Sequence, residues 1–220
     1  FREARAATAI GHPGIPAVMD AGEGEDGAYL VSELVRGQPL SVVWEDEPSV
    51  PSVLRTVDAV LDVLETAHAA GFVHRDIKPA NIMVASVDGR VHVLDFGIVK
   101  NLRPGSAQLT RVGAIVGTPW FMRHEQLTAE PVDARTDVWA VGVLLYRGLS
   151  GKLPFEGGSW IQMAEQMMQR GPAPLQDLKP GLPDFIYAAV HEALQPLPEK
   201  RIQSASELRQ RVRQRPVTQA

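Results

Sequence analysis

The chain has 220 residues, 45% of them apolar, enough to bury a sizeable core, with a formal net charge of −4 and no cysteine. That excludes disulfides and thiolate metal sites, and it gives no charge-based reason to expect a nucleic-acid partner. The longest uninterrupted apolar run, Val138 to Tyr146, is too short to cross a bilayer, so the expectation is a water-soluble segment in a reducing cytoplasmic interior, any membrane anchor lying outside it.

In chain order, Phe1 to Ala7 favours a helix, and a start at Phe1 inside such a stretch, without a charged-then-apolar leader, reads as a fragment or a processed chain. Gly11-His12-Pro13-Gly14 breaks the pattern. Ala17-Val18-Met19 and Tyr29-Leu30-Val31 read as strands flanking a glycine-rich acidic turn from Gly22 to Gly27. Apolar residues at 53, 57, 60, 61, 64 and 67 recur with a period near 3.6, and Gly71 stands where such a helix would stop.

Next comes the octet His74-Arg75-Asp76-Ile77-Lys78-Pro79-Ala80-Asn81. Two short apolar runs follow, Ile82-Met83-Val84 and Val91-His92-Val93-Leu94, separated by Asp88-Gly89, and then Asp95-Phe96-Gly97. The runs read as a hairpin that brings both polar clusters to one edge. Residues 96–124 have the Pro, Gly, Ser and Thr content of a mobile loop. Asp133 to Tyr146 is helical in pattern, and further helices follow with proline-rich connectors at 172–174, 180–183 and 196–198. The arginines at 209, 211, 213 and 215 read as a solvated helix face. His74 reads as a packing residue with Phe96 beside it, and Met163, Met167 and Met168 near Trp160 as packing or a partner-docking face. His124 and His191 lack metal-ligand spacing.

The polar clusters carry the chemistry. Asn81 and Asp95 offer oxygen ligands suited to Mg²⁺, which takes one or two protein ligands and completes its octahedron with water and phosphate oxygens. Lys78 would lie on the same side of an extended segment as Asp76 and could neutralise a transferring phosphoryl group. Asp76 is then the group to orient a hydroxyl nucleophile and accept its proton.

At these residues the chain resembles the protein kinase superfamily, and the run Asp76 to Met83 together with Val116-Gly117-Thr118-Pro119 is similar to bacterial serine/threonine kinases of the eukaryotic type. The resemblance extends over nearly the whole chain, through Gly117 to Met122, similar to the peptide-receiving segment, and Asp137 to Gly142, similar to the buried central helix. It implies an α+β, two-lobed kinase-like fold: residues 1–36 as a partial small lobe and 37–220 as a mainly helical large lobe with the catalytic loop and activation segment. It implies ATP and Mg²⁺, protein substrates, and a kinase–kinase dimer for autophosphorylation. Asp76, Lys78, Asn81 and Thr118 become catalytic residues, and Asn81 and Asp95 metal ligands. Glu33 and Val35 become the hinge that meets adenine, with Ser32 as gatekeeper and Met83 in the nucleotide site.

Glu3 resembles the helix glutamate that pairs with a strand lysine, but neither that lysine nor a glycine-rich loop has a counterpart in the 220 residues, which alone are expected to transfer phosphate poorly. Arg75 resembles the phosphate-pairing arginine of the catalytic loop, with Thr110 and then Ser106 as the sites to be phosphorylated, and Arg201 resembles a late arginine that pairs with Glu125. The chain departs from the pattern at Arg123-His124, where a small residue and proline are usual, and at Arg147-Gly148, where a glutamate is common at the first position. In kinases that select basic residues ahead of the acceptor, carboxylates commonly stand at the positions of Ala80 and Arg147, so a basic residue two places before the acceptor should be disfavoured. The alternative is a pseudokinase or kinase-fold scaffold.

Overall fold

The computed structural model describes residues 10–24, 27–95, 133–155 and 160–214. Phe1 to Ala7, the stretch 96–124, Glu125 and Arg215 lie outside the described residues, and so do Glu3, Ser106, Thr110 and Thr118.

Strand β1 (Val18–Gly24) pairs antiparallel with β2 (Gly27–Ser32), with Gly22 opposite Tyr29 and Gly24 opposite Gly27. The expected turn from Gly22 to Gly27 is therefore too wide, because Gly22, Gly24 and Gly27 belong to the strands. A side chain on Gly22 would collide with the Tyr29 ring, 2.6 Å from its Cζ, so that glycine serves strand pairing rather than chain reversal.

A second sheet has the order β3 (Gly37–Pro39), β4 (Ile82–Ala85), β5 (Val91–Val93), all antiparallel. The hairpin expected from the two apolar runs is present, with Ile82 opposite Val93 and Met83 opposite His92. In its turn Asp88 accepts a hydrogen bond from Arg90 N–H, and Gly89 takes a φ of +70°.

Helix α1 (Leu40–Val43) follows β3 directly and packs on the Pro79–Asn81 turn. Helix α2 (Val50–Ala69) begins at Ser49, whose hydroxyl accepts from Ser52 N–H, and carries Pro51 in its first turn. It buries Val53, Val57, Val60, Leu61, Leu64 and Ala67, the six positions singled out by period, together with Thr56 and Val63. Gly71, at φ +83°, ends it: Gly71 N–H bonds to His68 O and Phe72 N–H to Ala67 O, the paired closure that a left-handed residue permits.

Helix α3 (Arg135–Ser150) runs past the expected end at Tyr146 to a glycine C-cap, Gly151 at φ +72°. Asp133 stands before it, accepting from Arg135 N–H and from the Arg135 guanidinium, so its carboxyl is held below the usual range by that guanidinium. The helix is buried nearly all round, as expected of an element at the centre of a large core. Its Trp139 stacks on Phe155, with ring centroids 5.5 Å apart. The remaining α-helices among the described residues are α4 (Trp160–Gln169), α5 (Leu175–Leu178), α6 (Asp184–Ala193) and α7 (Ala205–Arg213). Met167 of α4 is 2% exposed, in the core as expected of a packing methionine.

The arginines of α7 are not a solvated face. Arg209 pairs with Asp58, Asp62 and Glu65 of α2, Arg213 with Asp58, and Arg211 with Glu192 and Glu207. Burial opposes ionisation of Asp58, but hydrogen bonds from Arg213 and Arg209 prevail and hold its carboxyl below the usual range. The partners of Arg209 and Arg213 lie about 150 positions away in sequence, so reading α7 alone cannot find them.

Candidate active site

The octet lies between α2 and the β4–β5 hairpin and is suspended from α3. Asp137, in the first turn of α3, is fully buried, and among the described residues its carboxylate accepts from three donors: His74 N–H at 2.8 Å, Arg75 N–H at 2.8 Å and His68 Nε2 at 2.9 Å. A buried carboxylate is stable only with such donors, and here two of the three are main-chain groups of the octet itself. The anchorage fixes a backbone that would not otherwise hold its shape, since Arg75 has φ +68°.

His74 is also fully buried. Its Nε2 lies 2.7 Å from Leu94 O, and its Nδ1 accepts from Asp76 N–H at 3.2 Å. Only the neutral ring with its proton on Nε2 satisfies both contacts, in agreement with burial pushing the pKa of this histidine down against the pull of Asp137, Leu94 O, Asp76 and Asp95. His74 is thus the packing residue expected, and it also ties the loop of Asp76 to the strand end that carries Asp95.

Around Asp76 the geometry is close. Lys78 Nζ donates to Asp76 Oδ2 at 2.9 Å, and Asn81 Nδ2 donates both to Asp76 Oδ2 at 3.1 Å and to Asp76 O at 2.9 Å. The expected alignment of Lys78 with Asp76 is present. The pair is about a quarter exposed on each side, 25% and 30%, so it contributes position more than stability. The Asn81 amide nitrogen is spent on Asp76, which turns its oxygen away, and that oxygen has no hydrogen bond among the described residues. Leu94 N–H bonds to Asn81 O at 2.8 Å and sets Asp95 beside the same strand pair. Asp95 is exposed, with φ +56°; it and Arg75 are the two non-glycine residues of positive φ among those described.

Of the nucleotide-side expectations, Glu33, Val35 and Met83 fall on described residues. Glu33 N–H donates to Ala17 O, leaving its carbonyl, and both main-chain groups of Val35, without a backbone partner among the described residues. Met83 is half-buried on β4, between Pro39 of β3 and His92 of β5. Arg201, 2% exposed, donates to the carbonyls of Gln195, Arg135 and Pro196 and lies 5.0 Å over the Trp139 ring.

Two residues of the site were not singled out from the sequence: Asp137 as the anchor of the octet, and His68. A signal for the first was present, because a carboxylate opening an apolar helical run must be buried and must therefore find donors. For His68 there was none.

The protein kinase domain family matches residues 1–211, and the chain belongs to that family. A probable serine/threonine-protein kinase of Corynebacterium efficiens is 40% identical over 217 residues, covering 94% of this chain and 33% of that protein. The serine/threonine-protein kinase PknB of Mycobacterium tuberculosis is 38% identical over 216 residues, covering 94% of this chain and 34% of PknB. The chain thus spans about a third of the length of these relatives. The crystal structure of the Mycobacterium tuberculosis PknI kinase domain superposes with a TM-score of 0.72 at 25% identity, over 96% of this chain and 75% of that one. The fold is the two-lobed α+β fold of protein kinases.

Proposed function

We propose that this chain carries the catalytic centre of a bacterial serine/threonine protein kinase, which moves the γ-phosphoryl group of ATP to a serine or threonine hydroxyl of a protein. The observation that carries the reading is the Asp76 carboxylate held by Lys78 and Asn81, with the Asn81 oxygen and the Asp95 carboxylate left to other ligands. Those two oxygens are the hard donor set Mg²⁺ takes, and the residues fit it. When bound, the ion neutralises phosphate charge.

In this reading Asp76 orients the acceptor hydroxyl and takes its proton as the oxygen–phosphorus bond forms and the bond to the β-phosphate oxygen breaks. Lys78, already on Asp76, balances the charge of the transferring group. The Glu33 carbonyl and Val35 N–H meet the adenine edge and Met83 its face, while Thr118 bonds near Asp76 and Lys78. Residues up to 36 form the small-lobe part and residues from 37 the large lobe. The relatives named as serine/threonine kinases support the acceptor class.

The test compares the full-length protein with its Asp76→Asn and Lys78→Met variants, following transfer of labelled γ-phosphate to a mixed protein substrate. Loss of the base should cut the rate about 10²- to 10⁴-fold with the fold intact by circular dichroism. Wild-type transfer by Asp76→Asn would overturn the reading.

A further inference from the structure

The turn that leads into β1 is seated between α2 and β5. Its Gly14 lies so close to α2 that a Cβ there would stand 2.6 Å from Val63 Cγ2, and Gly14 O accepts from Val93 N–H of β5 at 2.8 Å. His12 ties the same turn to α2 from its side chain. The Nδ1 atom accepts from Gly14 N–H at 3.0 Å, so the ring proton is on Nε2, the nitrogen that faces Asp62 Oδ2 at 3.5 Å. Asp62 and Val63 are neighbours on α2, and the turn therefore meets the helix through a carboxylate and a packing contact side by side.

Asp62 also serves the C-terminal helix. Its other oxygen accepts from Arg209 of α7, whose guanidinium takes Asp58 at 3.2 Å and Glu65 at 3.1 Å as well. Positions 58, 62 and 65 share one face of α2, so their carboxylates converge on a single cation. The Asp62 side chain is 45% exposed and that of Arg209 16%, which makes the arrangement a means of position more than of stability. Beyond the turn the connection is stiff. Pro13 and the buried Pro16 each have a fixed φ, and the next residue, Ala17, accepts from Glu33 N–H at 2.8 Å. A displacement of His12 thus passes along five residues to the main chain of Glu33 with little room to be absorbed.

Resting on the kinase reading for the role of Glu33 at the adenine edge, we propose that Asp62 couples α7 to the nucleotide site. Arg209 holds the Asp62 carboxylate, Asp62 holds His12, and His12 holds the turn that sets Ala17 and, through it, Glu33. Histidine, aspartate and arginine are here positioning residues that never touch the nucleotide. Whatever fixes or shifts α7 changes nucleotide affinity, and because coupling between two sites is reciprocal, bound nucleotide tightens the hold on α7.

The experiment compares full-length wild type with His12→Phe, Arg209→Gln, the double variant and Arg211→Gln. A fluorescent ATP analogue is titrated by anisotropy, phosphoryl transfer at varied ATP gives KM and kcat, and hydrogen exchange is followed by mass spectrometry over residues 10–17 and 205–213. Each of the first two variants should weaken nucleotide binding about two- to fivefold and raise KM for ATP by the same factor, with kcat little changed. The double variant should lose no more than the weaker single one, since both break one chain of contacts. Arg211→Gln removes the pairs to Glu192 and Glu207 on the same helix and should leave affinity unchanged. Exchange over 10–17 should quicken in Arg209→Gln, and nucleotide should slow exchange over 205–213 in wild type but not in His12→Phe. Failure of wild type to bind the analogue would remove the nucleotide reading, and exchange over 10–17 in Arg209→Gln then decides the coupling of α7 to the turn alone. Losses that add in the double variant, an equal loss in Arg211→Gln, or exchange over 10–17 unchanged in Arg209→Gln would overturn the proposal.

Discussion

Asp137 carries the shape of the catalytic loop, and its replacement by asparagine puts a number on that role. The carboxylate accepts from His74 N–H, Arg75 N–H and His68 Nε2, all within 2.8 to 2.9 Å and away from water. Asparagine keeps one oxygen and turns an NH₂ toward donors that now face a donor. Hydrogen bonds to a charged acceptor contribute roughly 1.5–3 kcal/mol each, and an unsatisfied buried donor costs about 1–3 kcal/mol. With one oxygen retained, the loss comes to about 2–4 kcal/mol. For a domain of this size each kcal/mol lowers Tm by roughly 2–4 °C, so Asp137→Asn should melt about 5–15 °C below wild type in a thermal scan. The exposed variant Glu199→Gln serves as control and should stay close to wild type. Because the same bonds hold Arg75 at φ +68° beside Asp76, any phosphoryl transfer should fall with the melting point corrected for. A Tm within about 2 °C of wild type would refute the reasoning, since no arrangement that loses a buried charged acceptor costs so little.

Two further outcomes follow from the same structure. Gly148→Ala should destabilise by about 1–3 kcal/mol, although alanine is the better helix former, because its Cβ would meet Val53 Cγ1 at 2.8 Å and the Trp44 ring at 2.9 Å; urea denaturation reads the sign. His74 has a depressed pKa in the fold, so the unfolded chain binds its proton first: its contribution is fully present above about pH 6.5 and is lost as pH falls below that, at about 1.4 kcal/mol per pH unit, until the folded ring titrates. The pH dependence of unfolding free energy should therefore steepen below that pH in wild type and flatten in His74→Phe.

Local patterns made most of the fold legible. The six apolar positions of α2 lie on one buried face, Gly71 closes the helix, and the Asp88-Gly89 hairpin forms, because each depends on residues within a turn or two of one another. In the site, the alignment of Lys78 with Asp76 was readable for the same reason, the two lying two positions apart. What was missed is non-local. The acids that pair with Arg209 and Arg213 stand about 150 residues earlier, and the Asp137 carboxylate reaches 62 and 63 residues back to Arg75 and His74. Gly148 looks like a helix weakness until Trp44 and Val53 are seen to occupy the space a side chain would need.

The two kinds of residue divide the work of the site. Asp76 and Lys78 are half-buried and reach solvent, Asn81 is 8% exposed, and their mutual bonds are short-range, so they are free to exchange partners when substrate arrives. Asp137 and His74 are fully buried and bond mainly to the backbone, so they can give nothing to a substrate and serve only to fix where Asp76 and Asp95 stand. Positioning supplies most of what a phosphoryl-transfer site contributes, which explains why such a site keeps two fully buried polar side chains, with their desolvation cost, directly behind Asp76 and Lys78. The same logic applies to Arg75 and Asp95. Each has a positive φ at an unfavourable residue type, and each sits beside a group bonded to the buried pair: Arg75 through its own N–H to Asp137, Asp95 through Leu94 O to His74. Among the described residues, the non-glycine residues of positive φ thus stand at the two points where the buried framework can hold them.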